Sequence, residues 1–295
     1  MSADAVRVAG VTISNPDKVW WPDEGITKSD VARFYDGIWS HVAPWLRDRP
    51  LTAERCPDGM GGGCFYQKDF PANAQPVDAP RLVLRAASTR KDVHYLVGGS
   101  RSTLAAMVNL GCIALHVMST RAADMGDCDW LAFDMDPESG GFADAARAGL
   151  ALRRLLDETK LASYPKTSGS RGLHVFVPLR AGVTPGAAVS FASAVGQELA
   201  QREPKLVTME HAKAKRGGRV FADSFRNGYT QTIVAPYSVR RRPAAPVSTP
   251  LAWDEVTTRL DPARFTMRTF DKRIAQANPW ADLWRHRQSL PKSVP

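Results

Sequence analysis

The chain has 295 residues, 44% of them hydrophobic and 23% charged, enough for one large domain or two modest ones with a proper core. Lys and Arg number 39 against 30 Asp and Glu, a net charge of +9, which suits a polyanion such as nucleic acid. No run of about 18 apolar residues occurs, and MSADAVRVAG at the start lacks a basic segment followed by an apolar one, so a membrane span and a secretory leader are not expected and a cytoplasmic protein is.

In chain order, VRVAGVTIS reads as a short strand pattern, followed by a Pro-containing loop with Trp20 and Trp21. TKSDVARFYDGIWSHVAPWL opens on a capping-box pair, Thr27 and Asp30, and places Val31, Phe34, Tyr35, Ile38 and Val42 at helical spacing. RPLTAERCPDGMGGGCFYQKDF predicts two strands joined by a glycine turn, and HYLVGGS a further hairpin. TLAAMVNLGCIALHVM reads as an apolar helix carrying Asn109 and His116. Strand and helix then alternate: WLAFDMD, FADAARAGLALRRLLDET, LASYPKTSGSRGLHVFVPL, a helix over 185–202, the strand RVFADSF and the strand-like TQTIVAPYS. RRRPAAPVSTP is a Pro-rich connection to a terminal helical segment with Trp280 and Trp284. The pattern is mixed α/β. Cys56, Cys64, Cys112 and Cys128 have no CxxC spacing, so reduced, mostly buried thiols are expected rather than structural zinc.

WLAFDMDP carries charge into an apolar run. Residues two apart in a strand share a face, so Asp134 and Asp136 point one way while Phe133 and Met135 pack behind them. Two carboxylates this close repel unless a cation lies between them, and oxygen ligands favour Mg²⁺ or Mn²⁺. Without a metal, one Asp would cap the next helix and the other would be solvated. In KTSGSRGLHVFVP, Ser168, Gly169, Ser170 and Gly172 form a tight turn whose N–H groups can face an anion, rimmed by Lys166, Arg171 and His174. An ordinary hairpin turn is the plainer reading, and the spacing is not that of a P-loop. Asp223, in RVFADSFRNG, offers a third carboxylate. Basic runs flank it, HAKAKRGGR with Arg216 and SVRRRP with Arg240. Such a set suits in-line phosphoryl or nucleotidyl transfer.

WLAFDMDP, TSGSRGLHVFVPL and ADSFRNGYTQTIVAPYSVRRRPAAPVSTPL together closely resemble the polymerase module of bacterial LigD-type end-joining proteins, of the archaeo-eukaryotic primase superfamily. SNPDKVWWPDEGITKSDVARFY and RPLTAERCPDGMGGGCFYQKDF match that family's opening, so the resemblance spans nearly the whole chain, in a stand-alone form with no candidate ligase or nuclease segment. The resemblance implies a primase-like fold with a central, mainly antiparallel catalytic sheet flanked by helices and an N-terminal α/β subdomain. It implies one composite domain over 1–295, with a DNA-binding part (1–120), a metal and nucleotide core (121–250) and a C-terminal helical segment (251–295). Asp134, Asp136 and Asp223 match the family's metal aspartates. Ser168, Arg171, His174, His116, Arg216 and Arg240 match its nucleotide contacts, Lys18 and Lys28 the lysines on a downstream 5′-phosphate, and Phe65 and Tyr66 an aromatic pair that stacks on bases. The family has Phe-Phe there; Tyr66 keeps the ring.

The implied function is template-dependent addition of nucleotides, with ribonucleotides preferred, to a primer 3′-hydroxyl at short gaps or broken ends carrying a 5′-phosphate. Two Mn²⁺ or Mg²⁺ ions, a nucleoside triphosphate and DNA would take part, with Ku and a separate ligase as partners. The alternatives are a metal-dependent nucleotide-sugar glycosyltransferase, which gives Lys18 and Lys28 no role, and a catalytically silent DNA-end-binding module, against which the intact carboxylates argue.

Overall fold

The computed structural model describes residues 5–72, 77–86, 90–139 and 141–291. The chain forms two compact units. One comprises the chain to Val117 with Val234–Val247 and Thr266–Arg268; the other comprises Met118–Ile233, Ser248–Phe265 and the chain from Thr269.

The first unit opens with two short hairpins, β1 (Arg7–Val8) with β2 (Val11–Thr12) and β3 (Val19–Trp21) with β4 (Ile26–Thr27). Helix α1 (Lys28–Gly37) starts on the predicted capping box: the Thr27 hydroxyl accepts from the Asp30 N–H and the Asp30 carboxylate accepts from the Thr27 N–H. Gly37 ends α1, and the helical pattern resumes as α2 (Trp39–Leu46). The sheet then forms from β5 (Arg49–Arg55), β6 (Phe65–Gln67), β7 (Arg81–Arg85) and β8 (Asp92–Gly98), followed by α3 (Arg101–Asn109) and β9 (Cys112–Val117). Strand β5 pairs antiparallel with β6, β8 and β9, and β8 with β7.

Two expectations change here. The apolar run at 103–118 is not one helix. Its helix stops at Asn109, Gly111 turns the chain at φ +96°, and Cys112–Val117 joins β5 as a strand. A Cβ at Gly111 would lie 3.0 Å from the Pro57 Cα, so the turn is tailored to a close backbone approach. His116 therefore sits on a strand, opposite Thr52. The cysteines also differ: Cys56 and Cys64 form a disulfide with Cα atoms 4.4 Å apart, while Cys112 and Cys128 are free and buried. The β5–β6 register explains this, because Arg55 faces Phe65 and the flanking cysteines are the next pair.

The second unit begins with the hairpin β10 (Thr120–Arg121) and β11 (Asp124–Cys128). It continues through β12 (Trp130–Pro137), α4 (Gly141–Glu158), β13 (Tyr164–Thr167), β14 (Leu173–Pro178), α5 (Pro185–Arg202), β15 (Val207–Thr208), the short α6 (Lys213–Arg216) and β16 (Val220–Asp223). Its sheet has the order β13-β14-β12-β16-β15, antiparallel except for β15 with β16. Leu131, Phe133, Met135, Val175 and Ala222 line one face and pack against Ala148, Leu152 and Leu155 of α4 and Phe191 and Val195 of α5. On the other face Trp130, Phe176 and Trp280 stack with centroids 4.7 and 5.4 Å apart.

Residues 251–291 hold short 3₁₀ turns and one five-residue helix, α7 (Phe270–Ile274), rather than a long helical segment. Buried Trp280 anchors this tail, its indole N–H directed at the carbonyls of Pro165 (3.1 Å) and Leu251 (3.3 Å). Among the described residues no helix is long and apolar enough to cross a membrane. The architecture is the expected mixed α/β fold of mainly antiparallel sheets flanked by helices.

Candidate active site

Strand pairing alone builds the centre of the site. Asp134 lies midway along β12, directly opposite His174 on β14 and Asp223 on β16. Residues directly opposite in antiparallel pairs share a face, so the three converge on the side away from α4 and α5. The His174 Nε2 is 3.2 Å from Asp134 Oδ1, and its Nδ1 accepts from the Lys166 ammonium at 2.9 Å. Lys166 is fully buried, donates to Ser248 Oγ at 2.6 Å and lies 5.6 Å from the Phe176 ring centroid. An ammonium has donors only, so this contact directs the ring proton to Nε2, facing Asp134.

Burial would raise the Asp134 pKa, but His174, Arg226 and Lys166 more than offset it and hold it at about 2. The Arg226 Nε is 3.0 Å from Asp223 Oδ2 and 3.6 Å from Asp134 Oδ2. Asp136 stands two residues along, opposite Phe221, with the Arg216 Nη1 at 3.7 Å. Its pKa is raised, first by burial and then by the Asp134 charge, against the pull of Arg216, Arg171 and Lys213. Buried Arg216 stacks 4.1 Å above the Phe221 ring and donates to the carbonyls of Glu210 and His211, both at 3.1 Å.

The Ser-Gly loop closes on itself. The Ser168 hydroxyl accepts from the N–H of Gly172 (3.0 Å) and of Ser170 (3.2 Å), and Gly169 takes φ +70°. A Cβ at Gly172 would sit 2.8 Å from the Met135 carbonyl oxygen, so glycine lets the loop lie against the aspartate strand. Arg171 is exposed at its tip.

Among the described residues no three His, Cys, Asp or Glu side chains come together as a metal-holding group. Asp134 and Asp223 converge on a cation, and Asp136 stands apart beside Arg216. The donor chemistry nonetheless fits a hard divalent ion, since carboxylate oxygens from adjacent strands meet on one face.

The remaining candidates lie in the first unit. Lys18 Nζ pairs with Asp58 at 2.6 Å. Buried Lys28 donates to the Ser14 carbonyl (2.8 Å) and hydroxyl (3.1 Å), and Ser14 is held in turn by the Asn109 side chain. Burial, and then the Lys18 charge, lower the Lys28 pKa to about 8. Phe65 and Tyr66 on β6 are 48% and 61% exposed, unusual for large rings in a strand, and Tyr66 meets the His116 ring edge-on at 5.3 Å. Arg240 is half-buried, its backbone N–H bonded to the Pro246 carbonyl.

Two side chains that shape the catalytic face have no place in the sequence reading, Arg226 across the aspartates and buried Asn227, while Lys166, expected at the rim of the anion loop, lies behind His174. Lys166 had a signal, since it pairs with His174 in the β13–β14 hairpin and so shares its face.

Carboxylates on an antiparallel sheet beside a glycine-rich loop suit the class of metal-dependent nucleotidyltransferases. The family model for the LigD primase-polymerase domain matches residues 27–284. The chain is 33% identical to the multifunctional non-homologous end joining protein LigD of Mycolicibacterium smegmatis, covering 94% of this chain and 36% of that protein. It is 30% identical to the bifunctional non-homologous end joining protein LigD of Bacillus subtilis, covering 94% and 45%. The solved polymerase domain from Mycobacterium tuberculosis Ligase D, in complex with DNA, superposes with a TM-score of 0.86 at 31% identity, covering 94% of this chain and 99% of that one. The chain belongs to the LigD primase-polymerase domain family and is a nucleotidyltransferase of the polymerase type. It spans less than half the length of each of the two curated relatives. Membership removes the nucleotide-sugar alternative.

Proposed function

We propose that the chain extends a primer 3′-hydroxyl under template direction, at short gaps or broken ends carrying a 5′-phosphate, in bacterial end joining. The observation that carries this reading is the cross-strand alignment of Asp223, Asp134 and His174 on one face. Asp134, Asp136 and Asp223 would hold two Mn²⁺ or Mg²⁺ ions, which lower the pKa of the attacking hydroxyl and neutralise charge on the departing pyrophosphate. Lys166 keeps the His174 Nε2 turned to Asp134 and to any phosphate that approaches it. Ser168, whose hydroxyl accepts from the loop's own N–H groups, joins Arg171, His174 and Arg216 as triphosphate contacts. His116 and Arg240 are assigned to the nucleotide by resemblance. Lys18 and Lys28 take the 5′-phosphate, and exposed Phe65 and Tyr66 stack on bases. Ribonucleotide preference, Ku and a separate ligase as partners, and a place in the bacterial cytosol complete the proposal.

The test is primer extension across a gap with a 5′-phosphate, comparing ribo- and deoxynucleotides with Mn²⁺ and Mg²⁺. Asp136→Ala should lower extension by about a thousandfold or more while DNA affinity stays within about twofold. Wild-type rates in that variant would reject the aspartate assignment.

A further inference from the structure

Arg226 has no role in the reading above, yet it occupies the centre of the carboxylate face. It sits on the 3₁₀ turn Phe225–Asn227 that follows β16. That turn is pinned at both ends. The Phe225 N–H donates to Asp223 Oδ1 at 2.9 Å. Fully buried Asn227 accepts from the Ala132 N–H at 2.6 Å and donates to the Ala132 and Ser224 carbonyls at 2.8 and 2.7 Å. Ala132 is two residues before Asp134 on the same strand, so the turn is registered to the aspartate it faces.

The oxygens divide cleanly. Asp134 Oδ1 faces His174 and Asp223 Oδ1 accepts the Phe225 N–H. Oδ2 of each is left, and the Arg226 Nε lies 3.6 Å from one and 3.0 Å from the other. These are the oxygens a divalent ion would need. A guanidinium is charged at every working pH, so it offsets the repulsion between adjacent carboxylates continuously. Its side chain is 42% exposed, and the turn is held by Asn227 rather than by the arginine, so the guanidinium can swing to solvent without unravelling its support.

We propose that Arg226 is a built-in counter-ion for Asp134 and Asp223 that a divalent cation must displace, and that it sets how tightly this face takes the ion. The proposal rests on the assignment of Asp134 and Asp223 as metal ligands. It makes metal uptake an exchange of one cation for another rather than a filling of bare carboxylates. Affinity is therefore weaker than the carboxylates alone would give.

The experiment is titration of the full chain with Mn²⁺ in the absence of nucleotide, reading free Mn²⁺ by electron paramagnetic resonance. Arg226→Gln should bind the ion about twofold to fivefold more tightly than wild type, the range of a partly exposed ion pair. Arg226→Lys, which keeps the charge and guards against a folding defect, should fall between the two. Without metal, Arg226→Gln should melt below wild type and gain more from added Mn²⁺. Adding Asp134→Asn to either background should abolish the tight binding. Unchanged or weaker Mn²⁺ affinity in Arg226→Gln, with wild type binding normally, would overturn the counter-ion role and leave the metal assignment standing. No Mn²⁺ binding by any form, or binding that survives Asp134→Asn, would overturn both.

Discussion

Lys28 holds a positive charge where burial and a second lysine both oppose it. Its pKa falls to about 8 from an ordinary 10.5. Between those values the unfolded chain binds more protons at this residue than the folded one, so its contribution to stability rises with pH through that window and is unfavourable below it. Such a site favours an anion, because a phosphate between Lys18 and Lys28 would relieve the repulsion that lowers the pKa. A 5′-phosphate is already close to a dianion at pH 7, so pH acts on the lysine. The preference for a phosphorylated over an unphosphorylated gap should hold from about pH 7 to about pH 8, then fall by up to about tenfold per pH unit above that. Binding of both gaps across the range checks this, and Lys28→Ala should show a small preference that does not change with pH. The two aspartates show the same logic in reverse. Asp134 is held ionised by His174, Arg226 and Lys166, while burial first and then the Asp134 charge make half-exposed Asp136 more basic.

At the scale of elements, β12 is the part on which the site depends, and Asn227 ties it to the turn after β16. Asn227→Ala would strand the buried Ala132 N–H and carbonyl and free the Phe225–Asn227 turn. Each buried group left unpaired costs about 1–3 kcal/mol, so a loss of about 2–6 kcal/mol is expected, with extension falling further than stability alone would give. Thermal melting and primer extension on the same preparation separate the two. Much of this architecture was legible because it is local. Alternation in WLAFDMD put Asp134 and Asp136 on one face with Phe133 and Met135 behind, and the Thr27–Asp30 capping box started α1 where expected. What could not be read depends on which distant strands pair. Asp223 was legible as a third carboxylate, but its register directly opposite Asp134 spans the whole α/β alternation between them, and nothing in either strand announces it. The helical reading of His116 rests on the largely apolar run from Leu104 to Met118, where periodicity does not distinguish a buried strand from a buried helix; only Gly111 marks the break. The Cys56–Cys64 bond depends on the hairpin register that makes the two neighbours, which their spacing in the sequence does not reveal.

At the scale of the whole molecule, the excess of 39 basic over 30 acidic side chains separates two kinds of contact with DNA. Lysines that meet phosphates release condensed counterions, so their contribution weakens steeply with salt, by a slope of about 0.9 per phosphate neutralised on duplex DNA. Aromatic rings that stack on bases release none, and their contribution is nearly independent of salt. Under the proposed function Lys18 and Phe65 would represent the two kinds: one is a cation paired with exposed Asp58, the other a ring half-open to solvent on β6. Affinity for a gapped duplex, measured from about 50 to about 200 mM salt, should therefore change differently in the two variants. Lys18→Ala should flatten the logarithmic salt dependence by about one unit, with its defect vanishing as salt rises. Phe65→Ala should lower affinity by about 1–3 kcal/mol at every salt concentration and leave the slope as in wild type. If both variants changed the slope alike, the exposed rings would not be stacking on bases, and the basic surface alone would account for the grip on DNA.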